Sequence, residues 1–174
     1  MAGRKRFTVI LILLLSMFPL SALDLSLEYQ VKAAFLLNFT KFIEWPPDPA
    51  DPAAPAAICI LGEDPFGPAL DQMVSGETLQ GRKLEVLRVH RPLPTSCKVL
   101  FIGRSEKDRA AILQSLGPGI LTVSEGGGFL QAGGIVDFVV DSHRVRFDIS
   151  QSAAAKEKLK ISSKLLNVAR TVEK

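Results

Sequence analysis

The sequence predicts an α/β sandwich, with a mixed, mainly parallel sheet flanked by helices and an antiparallel C-terminal hairpin. Three observations carry that reading. Short apolar runs rich in β-branched residues recur at residues 56–62, 97–103 and 120–124, as in strands covered on both faces. Segments with helix-capping chemistry lie between them, and such alternation of strands and helices implies parallel pairing through right-handed crossovers. Two further runs, 135–140 and 144–149, flank Asp141-Ser142-His143 as the arms of a hairpin. At 174 residues, 47% apolar and 22% charged, the chain has the length of one domain and a globular balance, which excludes a disordered chain.

At the N-terminus, Arg4, Lys5 and Arg6 precede an apolar run over residues 7–20, and Ser21-Ala22 supplies small residues for cleavage. This is the pattern of a secretory signal peptide, residues 1–22. The run falls short of the roughly 20 apolar residues of a membrane anchor. Its removal takes three basic residues and leaves 18 basic against 18 acidic ones. The pI near 9.0 therefore belongs largely to the signal, and basicity gives no support to a nucleic-acid partner. No later segment reaches transmembrane length. The expectation is an exported, soluble chain forming one α/β domain over residues 23–174.

Residues 25–45 read as one long helix. Val31, Phe35, Phe39 and Phe42/Ile43 recur at helical spacing, while Tyr29, Ala33, Leu36, Leu37 and Trp45 put apolar groups on other faces. Such a helix is expected to meet the core on one side and a partner subunit on the other. Trp45-Pro46-Pro47 ends it, and five prolines within residues 46–55 make a stiff connection. After the strand at 56–62, Asp64 is the expected N-cap of a helix that starts at Pro65 and runs to Val74. Residues 81–91 alternate, as a strand exposed on one face does. Ser105 is the expected cap of a helix reaching Leu116, broken by Gly117-Pro118-Gly119. Residues 129–132 read as a helical turn. From Ser150 the tail reads as helical, with a break near Ile161-Ser162-Ser163 and an apolar stripe of Ile161, Leu165, Val168/Ala169 and Val172.

Catalytic chemistry is hard to find. Gly103-Arg104-Ser105 begins like a nucleophile elbow but continues Glu106-Lys107, so Ser105 reads as a cap. There is no dinucleotide fingerprint and no phosphate-binding loop. Glu63 and Asp64, with Gly126-Gly127-Gly128, sit at strand ends where open α/β sheets place ligands. They support an alternative reading as a small-ligand binder, against plain turns. His90 and His143 lack metal-ligand spacing and read as surface residues. Asp137, Asp141 and Asp148 are expected to pair with Arg144 and Arg146 across the hairpin. Lys156, Lys158, Lys160, Lys164 and Arg170 make the tail basic, read as a solvated face or as a contact for anionic lipid or an acidic partner. No enzyme, metal or cofactor is expected. In an oxidising compartment Cys59 and Cys97 are candidates for a disulfide closing a 38-residue loop. Such a bridge is worth up to about 4 kcal/mol. Two buried thiols are the alternative.

The stretch YQVKAAFLLNFTKFIEWP at residues 29–46 closely resembles the opening of the YfiR-like periplasmic proteins. The later pieces agree in order: ICILG with Asp64-Pro65-Phe66-Gly67, CKVLFI from Cys97, LTVSE with Gly128-Phe129, GIVDF from Gly134, VRFDI from Val145, and LKISSKLL from Leu159. The resemblance covers about residues 27–170. It implies a soluble periplasmic regulator that binds and represses an inner-membrane diguanylate cyclase through its periplasmic sensor region, lowering cyclic di-GMP and hence biofilm output. It also implies sequestration by an outer-membrane lipoprotein, a homodimer, and a disulfide between Cys59 and Cys97. A second cysteine pair of some relatives is absent here. The contact surface is expected among Phe129, Phe138 and its strand, and Leu165 in the C-terminal helix.

Overall fold

The computed structural model describes residues 20–48, 51 and 53–174. The expected signal peptide falls mostly outside the described residues. The elements in chain order are α1 (Leu20–Phe42), β1 (Ile43–Glu44), β2 (Ala56–Leu61), α2 (Pro68–Val74), β3 (Thr78–Leu79), β4 (Arg82–Val89), β5 (Cys97–Ile102), α3 (Arg109–Gln114) and β6 (Leu121–Glu125). They continue with β7 (Val136–Asp141), β8 (Arg144–Ser150), α4 (Gln151–Lys156), β9 (Lys160–Ile161), α5 (Ser163–Val168) and β10 (Thr171–Glu173). Eight strands form one sheet in the order β10-β8-β7-β6-β5-β2-β4-β3. The β7–β8 and β3–β4 pairs are antiparallel and the rest are parallel. This is the α/β fold with a mixed, mainly parallel sheet that the sequence predicts.

Strand β2 is apolar and buried at every position because both of its faces are covered. In β2, Ala56, Ile58 and Ile60 turn toward the larger core under α1, α2, α4 and α5. Ala57, Cys59 and Leu61 turn toward a smaller core beneath α3. Four phenylalanines tie α1 to the hairpin: Phe35, Phe39, Phe138 and Phe147 have ring centroids 5.1–6.1 Å apart. Such aromatic pairs add about 0.5–1.5 kcal/mol each beyond their buried area. The hairpin closes in two residues, Ser142 and His143, with φ of 49° and 61°. That mirror-image turn matches the strand twist.

Several boundaries differ from the sequence reading. The first helix stops at Phe42, because Ile43 and Glu44 pair with Ile161 and Lys160 as a short antiparallel ladder. Its buried face is Ala33, Leu36, Phe39 and Thr40 together with Lys32, while Val31 and Phe42 of the expected stripe are exposed. Asp64 does not cap α2. Its carboxylate accepts from the Phe66 and Gly67 amides, at 2.8 and 3.3 Å, in a turn ahead of the helix. The helix restarts at Pro68. Ser105 does not cap α3 either: Asp108 does, accepting from the Ala111 amide at 3.1 Å. Ser105 Oγ accepts instead from the Glu63 amide at 3.0 Å, across two strand ends.

The tail is two short helices and two short strands. Ser150 and Ser162 cap the helices, and β10 runs parallel to β8. Val168 is exposed and Val172 lies in a strand, so the expected single stripe does not form.

The proline connection is fastened from inside. Arg82 is buried, with its Nε and Nη2 donating to the carbonyls of Ala54 and Pro55 at 2.6 and 2.8 Å. Its Nη1 pairs with Asp48, which also meets Lys98 Nζ at 2.7 Å. Truncating one member of such a hydrogen-bonded charge cluster strands the others. Arg82→Ala is expected to lower unfolding free energy by about 2–3 kcal/mol, measured by urea titration. An exposed control, Lys83→Ala, should change it by under about 0.5 kcal/mol.

Candidate functional site

The most unusual chemistry in the molecule is a lysine in the core. Lys32 is 1% exposed on the inner face of α1. Its ammonium pairs with Glu28 one turn earlier and with Glu125 at the end of β6. Glu125 is itself buried, and its two oxygens are fully used. Oε2 takes Lys32, while Oε1 accepts from the Tyr29 hydroxyl at 2.9 Å and forms an ion pair with Arg104, whose Nε lies 3.0 Å away. The Lys32 ammonium also lies 4.6 Å from the Tyr29 ring centroid. Removing charges from water costs several kcal/mol per ion, so each must find partners. Here each has them, and the cluster fastens the first described turns of α1 to the strand ends. The sequence reading gave neither Lys32 nor Glu125 a role.

Because Lys32 points inward, the opposite side of α1 points out. Leu27 and Val31 are 63% and 41% exposed, and across a groove the hairpin tip presents Val140 at 54%. Phe35 and Val145 line the floor, with Glu28, His143 and Arg144 at the rim. This apolar strip, charged at its edges, is the surface most suited to a protein partner among the described residues.

Phe129, Phe138 and Leu165 lie elsewhere. Each is under 5% exposed and packs inside the fold. Phe138 belongs to the aromatic cluster and Leu165 fills the space beneath α5. Phe129 lies so close over Gly134 that a Cβ there would come within 2.2 Å of the ring. Val140, at the far end of Phe138's strand, is the exposed apolar residue of that strand.

The remaining candidates divide. Cys59 and Cys97 are joined by a disulfide between adjacent parallel strands, with Cα atoms 5.8 Å apart, in the core beneath α3. His90 and His143 are exposed. The hairpin ion pairs do not form as expected. Asp148 takes Arg170, while Asp137 faces Asp148 across the ladder and is buried. Burial raises the Asp137 pKa, opposed by the Phe129 and Gly127 amides and by Arg109. One Asp137 oxygen, Oδ1, has no hydrogen-bond partner among the described residues. Lys156, Lys158, Lys160, Lys164 and Arg170 are exposed but spread over different elements, so they make no single basic face. Among the described residues no group of three or more His, Cys, Asp or Glu has the arrangement of a metal site. Nor is any described helix long and apolar enough to cross a membrane.

The YfiR/HmsC-like family model matches residues 29–170, and the chain belongs to that family. The family consists of periplasmic regulators of the diguanylate cyclase pathway. No curated protein matches the chain.

Two measurements check the site's physics. Tyr29 is the one tyrosine in the chain. Burial, then its hydrogen bond to Glu125 and that carboxylate's charge, push its pKa up to about 12 from an ordinary 10.0. Ultraviolet titration of the folded protein should show tyrosinate forming near 12, against about 10 in denaturant. The folded state holds the proton more tightly, so this contribution to stability is complete below pH 10 and is lost as pH rises toward 12. A folded-state midpoint near 10 would show the hydroxyl free of Glu125. Second, replacing both Cys59 and Cys97 with Ala is expected to cost up to about 4 kcal/mol in urea unfolding. Reduction of the parent protein should reproduce most of the loss.

Proposed function

We propose that this protein is an exported periplasmic regulator that binds and represses an inner-membrane diguanylate cyclase, through the cyclase's periplasmic sensor region, and so lowers cyclic di-GMP. The single observation behind the contact surface is the strip of Leu27, Val31 and Val140, exposed in a chain of this family. It replaces the buried Phe129, Phe138 and Leu165 as the surface to test. A repressor of this kind needs no reacting group. It holds the cyclase in its inactive conformation by binding that conformation more tightly, and its effect is limited to that difference in affinity. A preference of about fivefold to 150-fold corresponds to about 1–3 kcal/mol, the usual range for coupling of this kind. Homodimerisation, and sequestration by an outer-membrane lipoprotein, complete the proposal, with the same strip as the first surface to test for each.

Deletion of the gene should raise cellular cyclic di-GMP, and exported parent protein should restore it. Leu27→Asp and Val140→Asp change exposed side chains and should stay within about 0.5 kcal/mol of parental stability. They are expected to lose repression, leaving cyclic di-GMP at the deletion level. Unchanged cyclic di-GMP on deletion would contradict the regulatory reading. Full repression by both variants would move the contact off this strip.

A further inference from the structure

We propose that the pocket at the C-terminal ends of β2, β5 and β6 binds a small monocarboxylate with an apolar body, its carboxylate held by Arg104. The pocket measures about 470 Å³, within the range of small-molecule sites. It also lies where open parallel sheets present ligands, beyond the carboxyl ends of the strands.

Arg104 has the posture of a ligand-holding side chain. Its Nε is fixed on the buried Glu125 at 3.0 Å, yet 61% of the side chain is open. Its two terminal nitrogens have no partner among the described residues. A guanidinium anchored at Nε and free at its fork presents two parallel donors, the geometry that matches a carboxylate. Glu125 does not compete for that role, since both its oxygens are already occupied. It orients the arginine and offsets part of its charge.

The surroundings narrow the ligand. The Tyr29 ring, Pro65 and Phe101 form an apolar wall beside the fork. Of these, the Tyr29 ring and Pro65 are open to a ligand, while Phe101 is fully buried behind them; the open pair suits a hydrocarbon or aromatic body that loses water on entry. Glu63 stands exposed on the same rim, its carboxylate free of any partner among the described residues. A second negative charge on the ligand would be repelled there, so a monoanion fits better than a phosphate or a dicarboxylate. The backbone keeps the mouth open. Gly103 passes the Glu63 carbonyl so closely that a Cβ would lie 2.8 Å from it, and a Cβ on Gly126 would touch Arg104 Nε at 3.8 Å. Tyr29, which forms part of the wall, sits on α1, but the binding claim does not depend on the regulatory reading.

The test is thermal unfolding of the exported chain with phenylacetate, benzylamine or inorganic phosphate, each at about ten times a millimolar dissociation constant. Phenylacetate should raise Tm by about 3 °C, while benzylamine and phosphate should not. Arg104→Gln gives up the ion pair with Glu125, so its shift is read against its own unliganded Tm, and it should lose the phenylacetate shift. Glu63→Gln should keep that shift. The proposal is overturned if phenylacetate produces no shift, if Arg104→Gln retains it, or if phosphate stabilises as much as phenylacetate. None of these readings requires the cyclase, so they stand or fall apart from the repression experiment.

Discussion

One ammonium between two carboxylates organises this molecule. Lys32 is buried against Glu28 and Glu125, and a charge in that position cannot be left half-paired. Its demand for partners fixes the rotation of α1 about its own axis. Once Lys32 faces the strand ends, Ala33, Leu36 and Phe39 fall onto the sheet, and Leu27 and Val31 must face away from it. The exposed apolar strip is thus a consequence of where the charge went. Coulomb attraction does not make such clusters stabilising by itself, because desolvation offsets it. What the cluster supplies is a unique arrangement, since slipping the helix by one residue would carry Lys32 and Glu28 together away from the buried Glu125.

The other end of α1 is held by different means. Four phenylalanine rings bind it to the β7–β8 hairpin, and the Phe42 carbonyl accepts from the Ser162 amide at 3.0 Å. The β1–β9 ladder then joins the end of the helix to the C-terminal segment. The helix is therefore polar in its attachment near residue 30 and apolar near residue 39. Both surfaces border the polar attachment: Tyr29 and Glu125 line the strand-end pocket, and Glu28 lines the groove at the apolar strip. Anything that alters the hydrogen bonds of Glu125 acts directly on the helix that carries the strip.

Much of this fold was legible because its strands are long and covered on both faces. ICIL after Ala57 and CKVLFI from Cys97 allow little but a buried strand, and the run to Ile149 could be read by its alternation. The two-residue ladders β1, β3 and β9 were not legible, since two residues carry no period. The face of α1 was misread for a physical reason. Apolar spacing points to Val31, while the buried position belongs to a lysine whose partner lies 93 residues away. The burial of Phe138 was not legible either, because an aromatic on a strand does not reveal whether a helix covers it. Ser105 looked like a cap because serine caps and serine cross-links share a composition. The position of Glu125, at the end of a strand and beside a glycine run, was visible, and that was the one signal of the cluster.

The most direct measurement of this account is a double-mutant cycle on Lys32→Met and Glu125→Gln, read by urea unfolding. If the buried pair sets the placement of α1, each single change is expected to cost about 3 kcal/mol or more. The double change should cost less than their sum by about 1–3 kcal/mol. Additivity within about 0.5 kcal/mol would contradict it. In that case α1 would be placed by its apolar contacts alone, with the charges merely accommodated.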